Sequence, residues 1–261
     1  MGNLTITFLG TGTSMGVPVI GCKCDVCQSI DPKDNRLRTS ILVEFDGSKV
    51  VIDSGPDFRY QMLRAKVDEL TALVFTHEHK DHVAGMDDVR AYNFIQRQPV
   101  TIYAHERVEQ ALRKEFHYAF AEIKYPGVPE IKFEQISKNN AFNIQGQEFI
   151  PIEVMHHKLP VLGFRINDFT YITDANYISD KEKEKIKGSK VLVLNALRKQ
   201  THISHFTLQQ ALALVEELEV EHAYFTHISH QMGTHQAVSA ELPSNVFIAY
   251  DGLKIDVQCS V

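Results

Sequence analysis

The chain has 261 residues, 44% of them hydrophobic and 23% charged, enough apolar material for one large core. With 14 Gly, 9 Pro and no low-complexity segment, collagen-like, coiled-coil and disordered classes are excluded. Lys and Arg number 27 against 33 Asp and Glu, a formal net charge of -6, the wrong sign for a general nucleic-acid binder. The start, Met1-Gly2-Asn3-Leu4-Thr5-Ile6, carries neither a basic region nor a long apolar run, and Ile6 fails the myristoylation pattern. No stretch reaches the apolar length of a membrane span. A cytoplasmic protein without membrane contact is the expectation.

In chain order, Leu4 to Leu9 alternates as a strand and breaks at Gly10-Thr11-Gly12-Thr13-Ser14. Ser40 to Phe45 and Val50 to Ile52 predict a hairpin across Asp46-Gly47. Ala72-Leu73-Val74-Phe75 is an apolar run of the buried-strand kind, ending directly in Thr76-His77-Glu78-His79. Helices are predicted near Met86 to Gln96 and Arg107 to Glu115, with a strand at Val100 to Tyr103. Further strands are predicted near Ile131 to Ile136, Glu148 to Val154, Gly163 to Ile166, Phe169 to Ile172 and Lys190 to Leu194. Lys181 to Lys187 is a solvated helix face, and Thr207 to Glu217 an amphipathic helix. The strand Ala223-Tyr224-Phe225 runs into Thr226-His227. Strand-rich segments with helices thus occur twice over, and no linker cuts the chain. Residues 1–261 read as a single domain of two sheets with helices outside.

The richest motif is His77-Glu78-His79-Lys80-Asp81-His82. On an extended segment His77 and His79 point to the same side and can grip one ion. Asp81 and His82 follow where the chain must turn toward the next helix, placed to face a second ion. Imidazoles and a carboxylate suit zinc, manganese or iron. Cys22-Lys23-Cys24-Asp25-Val26-Cys27 is the second constellation. Three thiolates so close together favour a structural zinc over disulfides, and zinc wants a fourth ligand. Cys259 stands apart as a lone thiol. Gly10-x-Gly12 is no dinucleotide fingerprint, because Met15 occupies the third Gly position and no helix pattern follows; it reads as a tight turn with close backbone approach. Phe116, His117, Tyr118, Phe120 and Tyr125 are read as core or dimer packing before a substrate pocket.

The His-Glu-His-Lys-Asp-His motif at a strand end, preceded by Val51-Ile52-Asp53-Ser54-Gly55, resembles the metallo-β-lactamase superfamily signature. The resemblance implies an α/β fold, an αββα sandwich of two mixed sheets with helices on the outside and a metal site at the sheet edges. It further implies downstream ligands: His157 ahead of Gly163-Phe164-Arg165 as the third His, with its neighbour His156 pointing away. Asp174, ending Tyr171-Ile172-Thr173-Asp174, is the bridging carboxylate, and His227 the last ligand. With His77, His79, Asp81 and His82 the set for two catalytic divalent ions, zinc or manganese, is filled.

The Cys-x-Cys-x-x-Cys loop narrows the resemblance to the branch that contains phosphoribosyl 1,2-cyclic phosphate phosphodiesterase. That branch implies His230 as the fourth ligand of the structural zinc, with Cys22, Cys24 and Cys27. It also implies His205 as a residue that reaches the substrate or transfers a proton, with His202 competing for the role. Asn195 departs from the Asp expected there. The reaction implied is hydrolysis of a small phosphodiester, a cyclic sugar phosphate, by a hydroxide between two ions about 3.5–4 Å apart. Asp81 orients that hydroxide and His205 protonates the leaving oxygen. A homodimer is expected from the resemblance alone, and tRNA is disfavoured as a partner by the acidic balance. Rival readings are a thioesterase or lactamase, and an accessory protein of pyrroloquinoline quinone biosynthesis.

Overall fold

The computed structural model describes residues 3–123 and 125–259. The first half of the chain supplies strands β1 (Leu4–Gly10), β2 (Ser40–Phe45), β3 (Ser48–Ile52), β4 (Ala72–Val74), β5 (Val100–Ala104) and β6 (Ile131–Gln135). Between them lie helices α1 (Phe58–Ala65), α2 (Lys80–Val83), α3 (Arg90–Gln96) and α4 (Glu106–Glu115). The second half supplies β7 (Phe142–Ile144), β8 (Gln147–His156), β9 (Leu159–Ile166), β10 (Phe169–Tyr171), β11 (Val191–Asn195), β12 (His222–Thr226) and β13 (Val246–Ile248). Helices α5 (Asp180–Ile186), α6 (Leu208–Leu218) and α7 (His235–Ser239) belong to it, and β14 (Lys254–Val257) returns to the first sheet.

The sheets have the orders β14-β1-β2-β3-β4-β5-β6 and β13-β12-β11-β10-β9-β8-β7. Each is antiparallel at one side and parallel at the other: β3 to β6 and β10 to β13 run parallel. The expected αββα sandwich is therefore observed. One core fills the space between the sheets, with Phe8, Phe149, Phe164 and Tyr171 fully buried. A second lies between the first sheet and α1, α3 and α4, a third between the second sheet and α5 and α6. Parallel strands covered on both faces must be apolar throughout, which is why β4 and β11 read ALV and VLVLN without alternation.

Local chemistry sets the ends of these elements. The β2–β3 hairpin closes across Asp46 and Gly47, both at positive φ as a type I′ turn requires. In α6, Thr207 and Gln210 form a reciprocal capping box, and Leu208, Ala211, Leu214, Val215 and Leu218 bury one face. The predicted helix at Met86 to Gln96 is divided into a 3-10 turn (Met86–Val89) and α3. The helix α1 and the short strands β7, β13 and β14 carry patterns too brief to predict. The Gly10 turn is a close approach as read, since a Cβ there would lie 2.0 Å from the Arg38 carbonyl oxygen. Among the described residues no helix is long and apolar enough to cross a membrane.

Candidate metal centre

Parallel strands end together, and so do the residues just past them. The carboxyl ends of β3, β4, β10 and β12 deliver Asp53, the His77–His82 segment, Asp174 and His227 to one edge of the sandwich. Strand β8, running the same way as β10 because both are antiparallel to β9, delivers His156 there too. Asp53, Asp174 and His227 adopt left-handed conformations, with φ of 66°, 57° and 56°. Such strain persists where a strand end must be turned sharply to aim a side chain, and Asp and His tolerate it better than branched residues. Gly55 packs where any Cβ would stand 2.1 Å from the Asp81 carbonyl oxygen, so the loop after β3 can lie directly under the His77–His82 segment.

His77, His79 and His156 face one another, with ring centroids 4.6 Å (His77–His79), 5.1 Å (His79–His156) and 5.8 Å (His77–His156) apart. Here the structure corrects the expected third histidine. Strand β8 does not end at Val154 but continues to His156, whose partner in β9 is Leu159. His157 and Lys158 are then the two-residue hairpin turn; His157 has φ 57° and its side chain is exposed. Strand alternation puts Ile152, Val154 and His156 on one face, so His156 turns inward and His157 does not.

In three of the rings the nitrogen that faces the cluster is freed by a bond on the other side of the ring. Thr76 Oγ1 donates to Asp53 Oδ2 at 2.8 Å and, having one proton, accepts from His77 Nδ1 at 2.9 Å. His82 Nδ1 donates to Asp53 Oδ2 at 2.7 Å, and His156 Nδ1 to the Ser204 carbonyl at 2.9 Å. The Nε2 atoms of these three rings are left as acceptors, the tautomer that metal ligation needs. The sequence reading did not assign Asp53, Thr76 or Ser204 a role; the quoted Asp53 motif at a strand end was the available signal for the first.

Asp81, His82, Asp174 and His227 form a second cluster, each offering one ligand atom within 4.8 Å of the others. Asp174 stands at its centre. Its Oδ1 is 3.2 Å from His227 Nε2 and 3.0 Å from His205 Nε2, while its Oδ2 is 3.1 Å from His82 Nε2. Asp81 Oδ2 lies 3.3 Å from His82 Nε2 and 3.6 Å from His227 Nε2. His156, Asp174 and His205 also converge within 4.8 Å. Of the two competing histidines, buried His205 thus reaches the carboxylate, whereas His202 sits behind it, 3.1 Å away between Nδ1 atoms.

The electrostatics match this donor set. Burial holds His77 well below the ordinary imidazole value, and it lowers His205 to about 4, so both are neutral. For Asp174 burial alone would raise the carboxyl, but His227 and His82 prevail and hold it ionised. Asp81 is likewise held down by His82 and His227 against burial. Burial disfavours a proton on His82, yet Asp174, Asp53 and Asp81 lift it well above its usual range. The field that attracts that proton is the field a cation would meet. His77 Nε2, His82 Nε2 and both ring nitrogens of His227 are buried without an aligned hydrogen-bond partner. Orphaned buried acceptors beside ionised carboxylates fit divalent metal ligands.

Asn195 bonds the backbone of Ala175 twice, accepting from its N–H at 2.7 Å and donating Nδ2 to its carbonyl at 2.9 Å. These two hydrogen bonds fix the residue after Asp174. An Asp could not donate, so the departure at this position has a structural use.

On the loop between β1 and β2, the sulfurs of Cys22, Cys24 and Cys27 and a ring nitrogen of His230 lie within 4.8 Å of one another. His230 Nδ1 is 3.4 Å from Cys22 Sγ and from Cys24 Sγ. The Cys27 backbone N–H and His230 lower the Cys24 thiol to about 6, while burial pushes Cys27 up to about 11. Cys259 lies elsewhere, beside Asn167.

A family model for the beta-lactamase superfamily domain matches residues 48–228. The crystal structure of a diphosphatase from the PhnP family superposes with a TM-score of 0.93 at 39% identity, covering 99% of both chains. The chain belongs to the metallo-β-lactamase superfamily, as a PhnP-like member. The strand-end clusters of Asp81, His82, Asp174 and His227 and of His156, Asp174 and His205 are groups that could hold a metal ion. The octanoyltransferase of Porphyromonas gingivalis is 38% identical over 248 residues, 94% of this chain and 50% of that protein. The chain spans about half the length of the curated relatives it matches. Zinc-bound PqqB from Methylobacterium extorquens shares the superfamily fold, with a TM-score of 0.79 at 20% identity over 97% of this chain and 100% of that one.

Proposed function

We propose that the protein hydrolyses a small phosphodiester, a cyclic sugar phosphate being the substrate class, with two divalent ions at the strand-end clusters. The observation that carries the reading is Asp174, whose oxygens face His227 and His205 on one side and His82 on the other. His77, His79 and His156 would hold the first ion and Asp81, His82 and His227 the second, with Asp174 between them. Zinc or manganese suits these ligands, and a separate structural zinc suits Cys22, Cys24, Cys27 and His230. When bound, the ions supply Lewis acidity toward a phosphoryl oxygen and a deprotonated water at neutral pH.

The chain's own groups do the rest. Asp53 and Thr76 orient His77 and His82, and the Ser204 carbonyl orients His156. His205 holds its Nε2 3.0 Å from Asp174, where the N–H of the neutral ring would stabilise the oxygen leaving phosphorus by a hydrogen bond. Asp81, held ionised, orients the attacking water. The whole-length likeness to a PhnP-family diphosphatase supports phosphorus chemistry. A cytoplasmic location, a homodimer and a free small-molecule substrate belong to the same proposal.

A second reading, hydrolysis of an acyl thioester, is favoured by the octanoyltransferase name of the relative matched over 94% of the chain. One assay separates them: bis(p-nitrophenyl) phosphate and an octanoyl thioester, each with manganese or zinc and with a chelator. Chelator-sensitive cleavage of the phosphodiester alone is expected. Cleavage of the thioester alone would overturn the phosphodiester reading.

A further inference from the structure

The three histidines of the first metal position come from different sheets. His77 and His79 follow β4 in the first sheet, and His156 ends β8 in the second. Their spacing is therefore a matter of how the sheets are fastened to each other at this edge. We infer that Arg107 is a positioning residue that fixes the separation of His77 and His79 from His156, and with it the affinity of that position for its ion. The inference rests on the proposal that these histidines hold an ion.

Glu78 lies between the two histidines in sequence, and its Oε1 is 2.8 Å from Arg107 Nε. The same guanidinium donates through its terminal NH2 group to the Pro160 carbonyl at 2.6 Å. Pro160 is the β9 partner of Met155, the residue before His156. One side chain therefore touches the metal-binding segment of the first sheet and the hairpin that carries the third histidine. A backbone bond runs beside it, from Leu162 N–H to the Thr76 carbonyl at 3.1 Å. Arg107 is itself held, because it lies in the first turn of α4 and its N–H bonds the capping Nδ1 of His105 at 3.2 Å. Glu78 Oε2 and Arg107 Nε are both buried without an aligned hydrogen-bond partner, so Arg107 restrains that carboxylate as a close ion pair, while its directed hydrogen bond goes to Pro160. A planar fork can span two acceptors in fixed geometry, which a lysine ammonium does less well. Partners one shell out from a metal ligand typically change metal affinity 10–100-fold when removed.

The test compares wild type, Arg107→Met, Arg107→Lys and His156→Ala, loaded with cobalt(II). Absorption separates thiolate-bound from histidine-bound cobalt, chelator competition gives each affinity, and melting of the metal-free proteins reports stability. Arg107→Met is expected to weaken by roughly 10–100-fold the same equivalent of cobalt that His156→Ala abolishes, leaving the thiolate-bound equivalent unchanged. Arg107→Lys, which keeps the charge, is expected to leave most of that defect in place. Wild-type affinity in Arg107→Met, full recovery in Arg107→Lys, or a melting loss with unchanged affinity would each overturn the inference. If wild type itself binds no histidine-held cobalt, the metal reading of the site fails first and takes the inference with it.

Discussion

At the scale of single residues, the site depends on which side of a strand a histidine falls. His156 and His157 are neighbours of the same type, yet one ends a strand facing His77 and His79 and the other forms an exposed turn. His156→Ala is expected to lower chelator-sensitive hydrolysis by about 100-fold or more and to remove metal, whereas His157→Ala should stay within about twofold of wild type. Equal losses in the two variants, read by rate and metal content, would refute the strand register. Asn195 makes a similar point about hydrogen-bond polarity. Asn195→Asp sets a buried carboxylate against the Ala175 carbonyl in place of the Nδ2 donor, costing about 2–4 kcal/mol. A melting temperature lower by roughly 5–15 °C is the expected result for a chain of this size. An unchanged melting curve would show that the two hydrogen bonds to Ala175 contribute little. The motif histidines were legible as letters with a chemical meaning, while the inward or outward sense of residues 156 and 157 was not. It required the true end of β8, which the apolar run through Val154 understates.

At the scale of elements, the loop between β1 and β2 has no regular structure across residues 18–31. Backbone turns such as Gln28 N–H to Cys24 carbonyl at 3.0 Å give it little internal strength. Its closure depends on the thiolates and on His230, which arrives from a segment more than two hundred residues later in the chain. Under the structural-zinc proposal, Cys24→Ser or a strong chelator should speed limited proteolysis within residues 18–31 by at least about tenfold. The strand signal in circular dichroism should persist. Collapse of both together would show that the loop is needed for the sandwich to fold. Helix α2 shows the converse relation between sequence and element. It is only four residues long, but those residues place Asp81 and His82 a turn beyond His79, so the second cluster is built as the chain leaves the strand. The expected turn toward a helix is found there.

At the scale of the molecule, two sheets of the same design meet face to face, and the metal edge exists because their strands end at a common rim. The inter-sheet core sets that meeting. Phe164 is fully buried within it, its ring edge-on to Phe142 at a centroid distance of 6.0 Å. Phe164→Ala should cost about 3–5 kcal/mol, most of it from the cavity left between sheets that cannot fully close. Thermal denaturation would register this as a loss of more than about 6 °C, and a smaller shift would mean that the sheets relax into the space. The sandwich is also fastened at two places beside the metal edge. Thr13 N–H bonds the Ile228 carbonyl at 3.2 Å on one side, and the Leu162–Thr76 bond and Arg107 act on the other.

The sequence by itself determined the chemistry available: clustered imidazoles, carboxylates and thiolates whose donor types suit divalent ions, and alternating and continuous apolar runs that specify strands and their burial. Those are local properties, readable from neighbours a few positions apart. Tertiary structure decided what no local pattern contains. It brought His156 rather than His157 to the site, made Asp53, Thr76 and Ser204 the orienting partners of the ligand rings, and joined His230 to the cysteine loop. The physical reason is that metal geometry depends on distances between strand ends in different sheets. Those distances are set by inter-sheet packing and by cross-sheet bonds between residues far apart in the chain.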